Sequence, residues 1–243
     1  MPLIFDSIDD IVVCQSGADV NNIATVSISL WFRPDSFGEI SFGRVFDKNA
    51  SVKAWYLASG GNYVGSMGWV HGFSTTLGEW RGPSGMISSG VWTHMVVTYD
   101  NGATTNDPIL YKNGVSQAIT EISTPVGTAS ADAAGTMMIG NRAAGDRTFD
   151  GGIAEVAVWN AILTSAQVQD LTNGASPLAV ASTSLVRYYP LWGKNSEEPN
   201  LPQHSGRIGS ISGAVHAGPN SGFALGVTVR APVSWWRGGG QRY

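Results

Sequence analysis

The chain has 243 residues, 43% of them hydrophobic and 13% charged, with 31 Gly, 9 Trp and a formal net charge of −4. Average domains carry about 25% charged residues, so Ser, Thr, Asn and Gly must cover much of this surface, as in turn-rich β proteins, and a single all-β domain of this size builds a sizeable core. No run of Lys or Arg appears, which sets nucleic acid aside as a partner, and no apolar stretch approaches the roughly 18 residues that would make a membrane a partner.

The opening "MPLIFDSIDD" lacks a basic start followed by an apolar run, so no secretory signal is expected and the product is made in the cytoplasm. Cys14 is the single cysteine; it has no disulfide partner and no CxxC zinc pattern, and reads as a small buried hydrophobe beside Val12 and Val13. In "ATVSISLWFRP", Val26, Ile28, Leu30 and Phe32 alternate with Thr25, Ser27, Ser29 and Trp31 until Pro34 stops the run, the pattern of a half-buried strand. "VWTHMVVTYD" alternates Trp92, His94, Val96 and Thr98 with Val91, Met95, Val97 and Tyr99. Asn113-Gly114 stands between two apolar runs and predicts a hairpin, because both residues accept the positive φ of a type I′ turn. "TMMIGNR" reads as a further short strand.

Residues 153–159 form another strand-like run. Strict alternation puts Val156 and Val158 on one face and Ile153, Glu155, Ala157 and Trp159 on the other. Both faces are largely apolar, so the strand is expected to be central, and Glu155 needs a partner if it is buried. The period then changes. Thr164 and Gln167 make a capping box, Leu163 and Val168 sit where a hydrophobic staple would, and Gly174 ends a helix of two to three turns. Nothing resembles βαβ alternation, so an antiparallel sandwich is favoured over a parallel sheet.

Taken in order, "FDSIDDIVV", "VSISLWFRPD", "GVWTHMVVTYD", "ILYKNG", "MMIGNR", "FDGGIAEVAVWNAILTSAQV" and "LVRYYPLW" make the chain similar to the laminin-G-like group of concanavalin A-like jelly rolls, over roughly residues 3–192. The resemblance implies an all-β jelly-roll sandwich of two packed antiparallel sheets, about six or seven strands each, with the short helix after "AEVAVWN" packing on one edge. The organisation expected is a sandwich over residues 1–192 and a Gly/Ser/Asn-rich extension over 193–243 that packs on it or on a neighbouring subunit.

Fold does not fix function. A jelly-roll glycosidase needs two carboxylates about 5 to 9.5 Å apart, which on one strand means acids at alternating positions. Glu155 is followed by Ala157 and Trp159, and Glu39, Glu79, Glu121, Glu197 and Glu198 sit in turn-like or polar segments. There is no GxSxG, and His94 reads as a hydrogen-bonded structural residue at a position where the family commonly has His. The chain is therefore expected not to be an enzyme, and no catalytic residue is assigned. No cofactor is required; calcium, which some laminin-G-like domains and the related pentraxins carry at a loop rim, is the alternative, with Asp100, Asn101 and Asp107 or Asp146 and Asp150 as ligands. The same residues are also ordinary turn formers.

Between residues 54 and 82, Trp55, Tyr56, Tyr63, Trp69, His71, Phe73, Trp80 and Arg81 crowd one Gly-rich third of the chain. Alternation buries most of these rings between the sheets; if a ligand site exists here instead, its residues are Trp69, His71, Trp80 and Arg81. At the C-terminus, "APVSWWRGGGQRY" carries Trp235, Trp236, Arg237, Arg242 and Tyr243, of the types enriched at interface hot spots, and reads as a subunit contact, with a flap on its own sandwich as the alternative. Standalone laminin-G-like proteins with such an end resemble ones encoded in tailed-phage genomes. The function implied is a non-enzymatic module on a virion surface, a capsid decoration or attachment component whose partners are other virion proteins or itself. The alternative is an extracellular lectin-like module that binds cell-surface glycan, and a jelly-roll glycanase is third.

Overall fold

The computed structural model describes residues 2–14, 17–49 and 52–191, together with the backbone of 197–199, 208–212 and 215–216. In chain order the first strands are β1 (Leu3–Asp6), β2 (Ile11–Cys14), β3 (Thr25–Pro34), β4 (Arg44–Lys48), β5 (Lys53–Ala58) and β6 (Ser66–His71). Next come β7 (Gly78–Arg81), β8 (Thr93–Asp100), β9 (Ile109–Lys112), β10 (Val115–Gln117), β11 (Thr120–Ser123), β12 (Met137–Ile139) and β13 (Asp150–Trp159). Helix α1 (Ser165–Thr172) leads to β14 (Leu185–Tyr189), β15 (Glu197–Pro199), β16 (Ile208–Ser212) and β17 (Val215–His216).

These strands form two antiparallel sheets. The first has eight strands in the order β10-β9-β8-β3-β13-β1-β17, with β14 also paired to β13; the second has nine, in the order β11-β7-β6-β5-β4-β12-β2-β16-β15. Both exceed the expected six or seven. The short strands β10 and β11 add an edge to each sheet, and strands from residues 197–216 add to the opposite edges, β16 on β2 and β17 on β1.

The alternating runs do what their period dictates. Val26, Ile28, Leu30 and Phe32 of β3 and Met95, Val97 and Tyr99 of β8 meet Trp55, Leu57, Met67, Trp69 and Trp80 of the other sheet, all buried. Each such side chain contributes about 1.5–3 kcal/mol on leaving water. Cys14 lies in the same core. The hairpin between β9 and β10 turns at Asn113 and Gly114, with φ of 48° and 81°.

The central strand β13 departs from strict alternation. Ala154 pairs with Trp31 and Ala157 with Ser29, so three steps on β13 oppose two on β3. The extra residue is Glu155, whose φ is 57°, and the bulge reverses the phase of everything before it. Ile153 therefore joins Val156 and Val158 between the sheets, instead of sharing a face with Ala157 and Trp159 as uninterrupted alternation predicts. The partner that Glu155 needs is the Tyr188 hydroxyl, which donates to its carboxylate. Burial holds that carboxyl above its usual range.

Helix α1 starts as its sequence predicts: Gln167 N donates to Thr164 Oγ1 at 3.3 Å and Thr164 N to Gln167 Oε1 at 2.9 Å. Its buried Val168 and Leu171 pack with Val96, Tyr111, Ala157 and Trp159 on the outer face of the eight-stranded sheet, so the helix covers a face and not an edge. His94 ties it down, with Nε2 2.8 Å from Ser29 Oγ and Nδ1 2.7 Å from Thr172 Oγ1. Burial lowers the His94 pKa to about 4, which keeps the ring neutral near pH 7.

Charge is also buried where β4 and β5 meet the loops. Lys53 Nζ lies 2.6 Å from Asp132 Oδ2, and Lys48 Nζ donates to Asn21 Oδ1 and to the carbonyls of Asp132 and Gly135 at 3.0 to 3.1 Å. Among the described residues no helix is long and apolar enough to cross a membrane.

Candidate functional site

Strand pairing sorts the aromatic third of the chain into two faces. Trp69 stands opposite Trp55 on one side and Trp80 on the other, and all three point between the sheets with 0% exposure. Two residues along, His71 faces the same way and is also 0% exposed, with burial lowering its pKa to about 3. Trp80 Nε1 donates to Asp107 Oδ1 at 2.7 Å, and His71 Nε2 lies 3.0 Å from Asn101 Nδ2. Three of the four residues expected at a ligand site, Trp69, His71 and Trp80, are thus core residues whose ring faces a ligand does not reach. Arg81 is the one on the outer face.

That outer face holds a different constellation. Tyr56, Gly68 and Arg81 lie side by side across β5, β6 and β7. Gly68 leaves the room the arrangement needs, since a Cβ there would stand 2.3 Å from Tyr56 Cζ. The phenol lies across the glycine and donates to Glu79 Oε1 at 2.5 Å; Arg81 Nε donates to the same oxygen at 2.8 Å and to Tyr56 Oη at 3.1 Å. Burial, and then Glu79, raise the Tyr56 pKa well above the usual phenol range, so the hydroxyl keeps its proton. The Arg44 guanidinium sits 4.8 Å from the centre of the Tyr56 ring, and Arg81 sits 5.8 Å from that ring and 5.1 Å from Tyr63. Phe42 packs against Tyr56 at 5.9 Å. Tyr56 itself is buried by these neighbours, whereas the side chains of Arg81 and Glu79 keep 17% and 19% exposure, and Tyr63 and Phe42 are half-buried.

The surface presented is a fixed carboxylate, guanidinium donors and ring edges, already ordered by one another. Two loops flank it. The turn between Phe37 and Gly43 closes through Gly43 N to Phe37 O at 2.9 Å, and Glu39 N and Thr148 O join it to the loop before β13 at 2.9 Å. In that second loop Arg142 grips Asp146 with Nε to Oδ1 at 2.5 Å and Nη2 to Oδ2 at 2.7 Å, and this holds the carboxyl down at about 2.

Four of the five side chains considered for calcium have partners within the protein. Asp100 Oδ1 accepts from Gly102 N at 2.8 Å, Asp107 holds Trp80, Asn101 meets His71, and Asp146 faces Arg142 and Arg147. Asp150 is the first residue of β13, opposite Asp6. Alternation did not point to the carboxylates that do converge, Asp6, Asp9 and Asp10 around the β1–β2 turn, whose oxygens lie within 4.8 Å of one another. Asp10 Oδ2 accepts from Asp6 N at 2.5 Å, and burial pushes its pKa up to about 6. Trp235, Trp236, Arg237, Arg242 and Tyr243 lie outside the described residues.

Comparison with solved structures places this architecture among known ones. A Bacteroides ovatus ATCC 8483 protein, provisionally named as carbohydrate-binding, superposes with a TM-score of 0.62 at 19% identity, over 88% of this chain and 58% of its own. The full-length tailspike protein 2 of Escherichia coli O157:H7 bacteriophage CAB120 superposes with a TM-score of 0.50 at 13% identity, over 78% of this chain and 26% of that one. At these identities the likeness is one of fold, and this chain spans little more than half of the first of these proteins and about a quarter of the second. A search of curated proteins gives no match. A laminin-G family model, described as the concanavalin A-like lectin/glucanases superfamily, matches residues 7–169, and the chain belongs to that superfamily.

Proposed function

We propose that this protein is a non-enzymatic carbohydrate-binding module that recognises its ligand on the outer face of the nine-stranded sheet. The observation that carries the reading is the layered set Arg44, Tyr56, Arg81 and Tyr63, in which Tyr56 and Arg81 both donate to Glu79. Sugar hydroxyls both donate and accept, and this set supplies an acceptor in Glu79, donors in Arg81, and a ring beside them for an apolar sugar face. Because the side chains brace one another, little conformational freedom is lost when a ligand arrives. The name of the Bacteroides ovatus protein supports the same reading.

Glu79 and Glu155 do not serve as a hydrolytic pair. Glu79 lies on the outer face of one sheet, and Glu155 bonds Tyr188 on the outer side of the other. Packed sheets are about 10 Å apart, beyond the roughly 5 to 9.5 Å that paired glycosidase carboxylates require. The narrower reading, a virion attachment component, makes this face a receptor-binding surface on a phage particle; placement beside capsid and tail genes would support it.

The test is retardation in native gels cast with laminarin, xylan, galactomannan or hyaluronate. At least one polymer should slow the wild type, and Arg81→Ala or Tyr63→Ala should restore free mobility without loss of folded circular dichroism. Retardation that survives both substitutions places the site elsewhere, and no retardation by any polymer removes the reading.

A further inference from the structure

The two buried lysines of β4 and β5 are not equivalent. Lys48 Nζ has three acceptors, Asn21 Oδ1, Asp132 O and Gly135 O, at 3.0 to 3.1 Å. An ammonium carries three N–H donors, so Lys48 is satisfied as a cation. Lys53 Nζ has two acceptors among the described residues, Asp132 Oδ2 at 2.6 Å and Ile23 O at 3.2 Å. Its ammonium form is one acceptor short at a depth where Lys53 is 3% exposed and Asp132 0%, and an unmade hydrogen bond is costly there. The carboxyl opposite is tightly held. Asp132 Oδ1 accepts from Asn22 N at 2.6 Å, Asp132 N donates to Asn22 Oδ1 at 2.9 Å, and Lys48 Nζ stands 3.9 Å from Oδ1. One carboxyl oxygen thus touches the amine, while the other is met by an N–H donor and a cation, the layout that acyl transfer requires of a nucleophile and an oxyanion site.

We propose that Lys53 and Asp132 condense into an intramolecular amide that ties β5 to the loop between β11 and β12. The ion pair is the state before the bond forms. Burial lowers the Lys53 pKa and so favours the neutral amine. The proton passes from Nζ to Oδ2 along their 2.6 Å hydrogen bond, leaving an amine and a carboxylic acid. The Nζ lone pair then forms the new bond to Cγ, and the C=O π pair moves onto Oδ1, where Asn22 N and Lys48 stabilise it. A second Nζ proton goes to Oδ2, the Cγ–Oδ2 bond breaks with its electron pair, and one water leaves. No oxidant, reductant or co-reactant takes part. The product pairs every polar atom: its single N–H keeps Ile23 O, and its carbonyl keeps Asn22 N. The donor that had no acceptor in the ammonium is gone, and Lys48 retains its charge and its three acceptors.

Mass spectrometry of the full chain, kept folded at neutral pH overnight and then unfolded in acid, reads the outcome. The wild type should be lighter than its sequence by one water, and a tryptic digest should yield a branched peptide that joins the segments carrying Lys53 and Asp132. Lys53→Arg keeps a cation beside Asp132 but lacks the amine, and it should have the full mass of its own sequence. On reducing denaturing gels it should also run behind the wild type, because a bond between residues 79 apart keeps the unfolded chain more compact. A wild type of full mass would overturn the inference. So would a loss of water that persists in Lys53→Arg, or one that the digest assigns to a peptide without Lys53. The two wild-type measurements decide the matter even if the variant fails to fold.

Discussion

Gly68→Ala tests the candidate site through a single methyl group. A Cβ at this position would stand 2.3 Å from Tyr56 Cζ, 2.5 Å from Oη and 2.7 Å from Cε1, well inside contact distance. The ring has little freedom to yield, with Arg44 over one region of it and Phe42 beside it. Overpacking of this kind costs about 1–3 kcal/mol. Moving the phenol also breaks its bond to Glu79, and a hydrogen bond to a charged group contributes about 1.5–3 kcal/mol. A loss of about 3 kcal/mol is therefore expected, or a melting point lowered by about 6–12 °C in a domain of this size. Thermal melts followed by near-ultraviolet circular dichroism read this directly. Shortening the ring in the same protein removes the clash, so Gly68→Ala should cost less than about 1 kcal/mol in a Tyr56→Ala background, a coupling within the range for residues in contact. An equal cost in both backgrounds would mean that Tyr56 does not lie over Gly68, and the geometry built on that contact would be wrong.

Two further outcomes probe charge in the sandwich. Lys53→Met removes the ammonium 2.6 Å from the buried Asp132 carboxylate and leaves it only the more distant Lys48 at 3.9 Å, so urea unfolding should report a loss of about 3 kcal/mol, partly recovered by adding Asp132→Asn; a neutral single variant would refute the pairing. Asp10 gives a pH signature: its folded pKa is raised from 3.8 to about 6 by burial, so the folded protein holds the proton longer than the unfolded chain, and this group's contribution to stability falls as pH rises from about 4 to 6 and is at its least favourable above that. Asp10→Asn keeps an acceptor for Asp6 N and removes the titration, so the melting temperature of the variant relative to the wild type should climb between pH 4 and pH 7; a difference that does not change with pH rejects the assignment.

The parts of the fold that were legible in the sequence are those fixed by local rules. Alternation in β3 and β8 needs only a period of two, the capping box needs only Thr164 and Gln167, and the hairpin needs only Asn113-Gly114. Where one residue is inserted, as at Glu155, the period on either side looks intact and only the pairing with β3 reveals that Ile153 has changed face. The candidate site was half legible. Arg81 and the aromatic density were visible, but which rings face outward depends on the absolute phase of β5 to β7, which places Trp69 and Trp80 in the core and Tyr56 outside. A signal that was available is Gly68, a glycine inside a strand, which commonly marks the close approach of another group.

The bulged strand β13 also decides how the sequence can be rearranged. β3 runs along one flank of it, while the other flank is divided end to end, β1 opposite residues 150–153 and β14 opposite residues 156–159. Leu3 and Tyr189 oppose Ile153 and Val156, three positions apart, or about 10 Å at the usual rise of a strand. Residues distant along the chain thus meet almost head to tail on one strand, and a bridge of a few residues spans them. A circular permutant of residues 3–189 alone, which gives up the edge strands β15 to β17, joins Tyr189 to Leu3 and opens the chain at Asn113-Gly114, would keep β1, β3 and β14 in register on β13, because that strand is assembled by adjacency in space and is indifferent to the order in which its neighbours are synthesised.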